Sequence, residues 1–212
     1  MHLSQQQILN IYHSVRQTIL ENQMKEWEAL YGEFDKNNYE AYTIQNLPSE
    51  SSFYHGEIIK WARDIKPQPR RTLLAGEGNI AAEHLQEPLG IENILTTGML
   101  RVDVPWNFEE APPDIGAFDL IISQAILEHL INPYKHMCDL ASLLEPAGHL
   151  IVHSVCPGFQ YHRFPVDTFR FFPDWFEEVG KRIGLCVGKK RIKGFHIFYM
   201  YQKPEESAFR RR

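Results

Sequence analysis

The 212-residue sequence has only three cysteines, Cys138, Cys156 and Cys186, and no two of them show CxxC spacing. This pattern supports neither a zinc site nor a disulfide scaffold, and it is typical of thiols that stay reduced. No apolar run approaches the roughly 20 residues that a membrane-spanning helix needs. The start of the chain also lacks the features of a secretory signal. We therefore predict a soluble, cytoplasmic protein with no membrane partner.

An excess of positive charge is absent as well. The formal net charge is -5, with 22 Lys and Arg against 27 Asp and Glu. Nucleic-acid-binding domains usually carry a basic surface, so the overall charge argues against a nucleic-acid partner. Two short basic clusters, at 189–193 and 210–212, are most simply interpreted as solvated surface and a basic tail.

The hydrophobic pattern changes character near residue 65. Helical spacing predicts that residues 1–65 form an N-terminal helical cap, which includes a capping box at Ser4 and a helix ending near residue 62. In residues 66–204, short apolar segments alternate with helical ones, and residues 205–212 form the basic tail. This alternation predicts an α/β domain with a mostly parallel sheet, helices on both faces and an antiparallel edge. The predicted strands are 72–75, 91–96, 101–105, 118–123, 149–155, 185–190 and 195–202.

The segment LLAGEGNIAAEHL, residues 73–85, passes from a strand through two glycines into a helix. Gly76 and Gly78 would let the backbone turn sharply beneath a ligand, and the helix would present free N–H groups to it. An ordinary strand-turn-helix explains the same letters as well. The GxGxxG and Walker A patterns are absent. The motif alone therefore leaves both interpretations open.

Three downstream segments resemble the class I S-adenosylmethionine (SAM)-dependent methyltransferases. They are FDLIISQAILEHL (118–130), the Asn132-Pro133 step and LLEPAGHLIV (143–152), in the family's order and spacing. The resemblance covers about residues 70–203 and implies a Rossmann-like, seven-stranded sheet with SAM as the cofactor. The stretch 161–173 resembles a type 11-like subgroup of small-molecule methyltransferases with an H-x-x-P-x-D-x-x-R pattern.

The resemblance also assigns cofactor residues, and it shows that two of the family's acids are missing. Leu74 stands where a carboxylate organises the glycine loop, and the second strand ends without the acid that holds the ribose. Thr96 or Thr97 would offer the ribose a single hydroxyl group instead. Asp103 or Asn107 would accept a hydrogen bond from the adenine amino group. The alternative is that these side chains only stabilise the turn. The predicted cofactor-binding residues are Ala75, Gly76, Glu77, Gly78, Thr97, Asp103, Asn107, Ser123 and Gln124.

Methyl transfer needs a positioned nucleophile and, for a hydroxyl or ammonium acceptor, a base. His162, Asp167 and Arg170 share one loop and suit proton abstraction with anion recognition, unless Asp167 and Arg170 merely brace that loop. We predict His162 and His153 as catalytic residues. Tyr12 and Tyr31 of the cap, with Asp167 and Arg170, are the predicted acceptor-binding residues. No ligand spacing is convincing for a metal, so none is predicted.

The sequence thus predicts a SAM-dependent methyltransferase that acts on an oxygen or nitrogen of a small-molecule acceptor, with an anionic group as the ligand of Arg170. Two alternatives stay open. A binding or scaffold protein with a degenerate SAM site is favoured by the missing acids. An RNA or protein methyltransferase would use the basic stripe at 189–193, and the acidic net charge weighs against it.

Overall fold

The computed structural model describes residues 53–99, 101–159, 161–162 and 166–205, which form a seven-stranded sheet flanked by helices. The predicted Rossmann-like α/β fold is confirmed. The capping box at Ser4 and the candidate residues Tyr12 and Tyr31 lie outside the described residues, and the division into cap, domain and tail stays a prediction.

The strands are β1 (Thr72–Ala75), β2 (Ile94–Gly98), β3 (Val104–Pro105), β4 (Phe118–Gln124), β5 (Leu144–Val155), β6 (Cys186–Lys193) and β7 (His196–Gln202). The helices are α1 (Phe53–Arg63), α2 (Asn79–Leu89), α3 (Pro133–Ser142) and α4 (Pro173–Arg182), with a 3₁₀ turn at Leu127–His129.

The strand order β3-β2-β1-β4-β5-β7-β6 brings the functional strand ends together. Neighbours among β1 to β5 pair in parallel, and β7 pairs antiparallel with both β5 and β6. Ala75 at the end of β1 is level with Thr97 of β2 and Ser123 of β4. The carboxyl ends of these central strands therefore share one edge, where ligands bind in open α/β sheets.

Each face of the sheet carries its own core, because successive strand residues point to opposite sides. Leu74 packs on the face covered by α1 and α2, together with Ile58 and Leu85. Leu73 packs on the other face with Met137 of α3 and with residues of α4. No helix among the described residues is long and apolar enough to cross a membrane.

The structure departs from the expected boundaries where a local signal was misread. Ala125 has a positive φ of 51°, and the LEH part of the motif after β4 forms only a 3₁₀ turn. β5 begins at Leu144, before the expected strand at 149–155, and its pairing with β4 shifts from Leu144 to His149 so that the intervening residues loop out. The third strand shrinks to two residues, Val104–Pro105.

Candidate cofactor and acceptor site

The glycine turn connects β1 to α2 and lies at the edge of the sheet where the carboxyl ends of the central strands meet. The Gly76 N–H donates to the Thr97 carbonyl at 2.8 Å, and the Asn79 N–H donates to the Arg101 carbonyl at 2.8 Å. Gly76 has a φ of +94°, a conformation that favours glycine. Gly78 is the N-cap of α2 and makes no side-chain capping bond, so the positive end of the helix dipole lies at the turn.

Ile126 occupies the space above Gly76. A Cβ atom added to Gly76 would lie 2.1 Å from Cδ1 of Ile126 and 3.4 Å from the Gln124 carbonyl oxygen. The positive φ of Ala125 turns the chain after β4 back over the turn. No sequence pattern signals the contact of Ile126 with Gly76, because this contact depends on the backbone conformation of Ala125.

Glu77 is the acidic group of the turn. Its side chain is half-buried, and burial raises the pKa of its carboxyl group to about 7. Desolvation disfavours the carboxylate, so a cation placed beside it would favour ionisation. A cationic ligand could therefore shift the ionisation of the Glu77 carboxyl group at neutral pH.

The positions of the missing family acids have other uses in this protein. Leu74 is 1% exposed and belongs to the core beneath α1 and α2, where an acid would need a buried partner. The Thr97 hydroxyl donates to the Val104 carbonyl at 2.8 Å, and the Thr96 hydroxyl contacts the Asp103 carboxylate at 2.9 Å. Both threonine hydroxyls thus have partners within the protein, and the predicted ribose contact of Thr97 would have to replace one.

The two candidate adenine contacts differ in their surroundings. Asp103 accepts from the Thr96 N–H at 2.9 Å, and its own N–H donates to the Thr96 hydroxyl at 2.9 Å. This pairing matches the turn-chemistry alternative and holds the β2–β3 connection. The Asn107 amide oxygen accepts from the Glu109 N–H at 3.1 Å, which leaves the amide NH₂ group for another partner.

Ser123 and Gln124 end β4 beside the glycine turn, and both side chains contact buried histidines. Ser123 Oγ lies 3.2 Å from Nε2 of His136, and the Gln124 amide nitrogen lies 2.9 Å from Nε2 of His55. Burial lowers the pKa of His136 to about 3 and that of His55 to about 4, so both rings are neutral at neutral pH. Gln124 thereby joins β4 to α1, a link that residue spacing does not reveal.

His153 lies in a buried aromatic group near the carboxyl end of β5. Its Nε2 is 2.9 Å from Nδ1 of His196, and its ring stacks on Tyr54 at 5.7 Å between centroids. Burial, with smaller effects from His196 and His55, holds the pKa of His153 well below its usual value. His153 is thus neutral at neutral pH, and one of its two nitrogens already has a partner.

Arg170 has hydrogen-bond partners within the protein, and its role as an anion clamp stays a prediction that would require some of these bonds to be replaced. It binds both oxygens of the Asp167 carboxylate and also donates to the carbonyls of Phe159 and Phe169. Burial opposes ionisation of Asp167, but hydrogen bonds from Arg170 and His162 outweigh burial and hold its pKa below the usual value. The geometry matches the bracing alternative, because four hydrogen bonds occupy most of the guanidinium donors.

The structure also brings together three potential metal ligands that the sequence analysis did not connect. Glu128 and His129 belong to the 3₁₀ turn after β4, and His162 comes from the loop after β5. One ligand atom from each residue lies within 4.8 Å of the other two. The expectation that no metal ligands cluster therefore overlooked this group, because the three residues come from two distant segments.

Comparison with solved structures supports the fold assignment. An O-methyltransferase family protein from Burkholderia thailandensis matches with a TM-score of 0.58 and 13% identity, covering 72% of this chain and 57% of that protein. The chain has the class I methyltransferase fold. Magnesium protoporphyrin IX methyltransferase from Synechocystis PCC 6803, with bound S-adenosylhomocysteine, matches with a TM-score of 0.56 and 12% identity, covering 80% and 96%. The resemblance to class I methyltransferases inferred from the sequence is confirmed.

Comparison with curated sequences finds relatives that are named as tRNA-modifying enzymes. The tRNA U34 carboxymethyltransferase of Syntrophotalea carbinolica is 28% identical over 168 residues. The match covers 62% of this chain and 52% of that relative, so the chain spans about half the relative's length. Four further matches, over shorter segments, carry the same name. No protein-family profile matches the chain.

These names contradict the expectation of a small-molecule acceptor with no nucleic-acid partner. The expected small-molecule acceptor rested on the resemblance of the 161–173 stretch, and the expected absence of a nucleic-acid partner rested on the net charge of -5. Net charge describes the average over the whole molecule, whereas phosphate contacts depend on the charges at one surface. The inference from total charge to the absence of a nucleic-acid partner was therefore wrong.

Proposed function

We propose that the chain is the catalytic domain of a SAM-dependent transferase that modifies RNA, with tRNA as the first candidate acceptor. The observation that supports SAM binding is the Gly76–Gly78 turn at the edge where the carboxyl ends of β1, β2 and β4 meet. The acceptor half is supported by the relatives, all of which are named as tRNA-modifying enzymes.

The donor is a sulfonium compound, whose positive charge and ammonium group suit the glycine turn. Glu77 is the carboxylate nearest in sequence to the expected position of the missing family acid at Leu74. Since burial raises its pKa to about 7, a bound cation would favour its ionised form and gain an ion pair. In the proposed complex Glu77 thus takes over the charge of the absent family acid.

The RNA contact requires cations, and the basic stripe on β6 is the candidate surface. In the structure Lys189 pairs with Asp64, Lys190 with Glu177 and Arg191 with Glu57. The pairs of Lys189 and Lys190 are exposed, and exposed ion pairs contribute only about 0–1 kcal/mol each, so phosphate groups can replace these two carboxylates at little cost, whereas Glu57, the partner of Arg191, is buried. Lys189 and Lys190 therefore remain available to RNA although both are paired.

The transfer itself is an in-line displacement. The acceptor nucleophile attacks the carbon bonded to the sulfonium sulfur, the carbon–sulfur bond breaks, and the thioether leaves. The catalytic roles of His153 and His162 stay predictions. His162 is the better placed of the two to receive a proton from an RNA acceptor, because a third of its side chain is exposed and His153 is buried.

The first experiment measures donor binding by isothermal titration calorimetry with SAM and S-adenosylhomocysteine. Gly78→Val should abolish binding, because a branched side chain at the turn fills the space of the ligand. Gly188→Val, on the exposed edge strand β6, is the control and should bind like the wild type. If the wild-type protein binds neither compound, the scaffold alternative replaces the enzyme.

The second experiment tests the acceptor by incubating the protein with tRNA or with small hydroxyl and amine compounds. Carboxymethyl transfer, the activity in the relatives' name, needs a donor whose transferred carbon carries a carboxylate, so SAM and a carboxylated analogue are compared. Mass spectrometry of the digested RNA identifies the added group. Modification of small compounds, with unmodified tRNA, would contradict the proposal. RNA binding should also weaken steeply with salt.

A further inference from the structure

We propose that Glu128, His129 and His162 form a binding site for a divalent transition-metal ion of the zinc class. Two imidazoles and one carboxylate are a donor set that such ions take in proteins, usually with one or more open positions. The three residues meet beyond the carboxyl ends of β4 and β5. This inference does not rest on the proposed function, because metal binding can be measured without donor or RNA.

Glu128 supplies the strongest reason to expect a cation. Its side chain is fully buried, and the Ser154 hydroxyl donates to its Oε2 at 2.7 Å. Its Oε1 is buried and has no hydrogen-bond partner among the described residues. A buried carboxylate oxygen without a partner is costly, so this oxygen points to a cation that compensates it.

The two histidines present suitable nitrogens to the same space. His129 Nδ1 lies 2.6 Å from the Val166 carbonyl oxygen, so Nδ1 carries the proton and Nε2 keeps its lone pair. His162 Nδ1 is 3.5 Å from the Asp167 carboxylate, while its Nε2 is 3.8 Å from Glu128 Oε1. The rings meet edge to face, with centroids 4.7 Å apart. The carbonyl partner on Nδ1 of His129 is a usual support of a metal-binding histidine, whereas Nδ1 of His162 is buried and makes no hydrogen bond among the described residues.

The segments that carry the ligands are tied to each other. The Thr168 N–H donates to the Glu128 carbonyl at 2.8 Å, and the Thr168 hydroxyl donates to the Leu130 carbonyl at 2.6 Å. Asp167 is held in turn by Arg170. The bracing role of Arg170 thus extends to His162, since Asp167 lies between them.

Binding requires only a small closure of the site. Ligand atoms on a tetrahedral ion lie about 3.3 Å apart, given metal–ligand bonds near 2.0 Å. The atoms here lie within 4.8 Å, so the side chains must approach by roughly 1.5 Å at most. His162 is one-third exposed, which provides both the freedom to move and the path by which an ion enters.

A protonated His162 paired with Glu128 is the metal-free alternative. It would place a positive charge near Oε1 without an ion, although 3.8 Å exceeds a hydrogen bond. The two arrangements also assign different roles to His162. An ion bound at Nε2 would take up this nitrogen, whereas without an ion Nε2 faces Glu128 Oε1 at 3.8 Å.

Calorimetric titration of the metal-free, full-length protein with Zn²⁺ distinguishes these arrangements. Cys186→Ser serves as the background, because this exposed thiol can bind zinc by itself. In that background His162→Ala and Glu128→Gln should each weaken the tight site by about 100-fold or more. His84→Ala, which removes an exposed histidine on α2, is the matched control and should leave the affinity unchanged.

Thermal melting gives an independent measurement, since an ion that binds only the folded state raises the melting temperature. Zn²⁺ should raise it for the background protein and for His84→Ala, and should not raise it for His162→Ala. Equal zinc affinity of His162→Ala and the background protein would overturn the proposal. Loss of binding in His84→Ala, or competition by Mg²⁺ at equal concentration, would overturn it too. If Glu128→Gln fails to fold, His162→Ala decides the result.

Discussion

Replacing Gly76 by alanine tests the close packing at the glycine turn. The φ of +94° would cost an alanine about 1–2 kcal/mol in backbone strain. The added methyl group would lie 2.1 Å from Cδ1 and 2.3 Å from Cγ1 of Ile126, and such overpacking costs about 1–3 kcal/mol. We therefore expect the free energy of unfolding to fall by about 2–5 kcal/mol.

Two further variants separate the backbone cost from the steric cost. Gly90 has a φ of +66°, and a Cβ atom there would meet nothing within 4 Å. Gly90→Ala should therefore lose only the backbone part, about 1–2 kcal/mol. In an Ile126→Ala background the obstacle above Gly76 is gone, so Gly76→Ala should cost about as much as Gly90→Ala.

Urea unfolding monitored by tryptophan fluorescence gives the required free energies, because Trp61 and Trp106 are buried. The double-mutant cycle of Gly76→Ala and Ile126→Ala should show a coupling of about 1–3 kcal/mol. If Gly76→Ala costs no more than Gly90→Ala, or if Ile126→Ala leaves its cost unchanged, Ile126 does not rest on the turn.

Three predictions concern pH. The pKa of His136 is about 3 in the folded state and near 6.5 in the unfolded state, so the unfolded state binds more protons between these values. The free energy of unfolding therefore falls as the pH drops below about 6.5. In urea unfolding, His136→Gln should show a weaker dependence of this free energy on pH. The pKa of Asp167 is lower in the folded state, so its contribution to stability is present above pH 3.8 and is lost as the pH falls through the folded value. Asp167→Asn should therefore have a lower melting temperature at neutral pH, and that temperature should fall less on acidification. The pKa of Glu77 is about 7, so the affinity of the wild type for SAM, measured by calorimetry, should rise with pH across neutrality. A similar rise in Glu77→Gln would exclude Glu77 as the partner of the SAM ammonium group.

Local patterns were sufficient for most of the fold. The strand at 72–75 was predicted with its observed bounds, because four apolar or β-branched residues lie between a polar turn and a glycine. The strand at 195–202 was predicted within one residue of its observed start at His196. The glycine turn and the motifs after β4 were also local, and they sufficed to identify the methyltransferase fold.

The candidate site depended on contacts that no local pattern contains. Gln124 meets His55 across 69 residues of sequence, and His162 approaches Glu128 across a strand and a loop. Ile126 covers Gly76 only because Ala125 adopts a positive φ. Amino-acid order by itself determined the strands, the helices and the turn, because their signals lie within a few neighbouring residues. The tertiary structure alone decided which side chains meet at the sheet edge, because parallel strands bring distant segments together there.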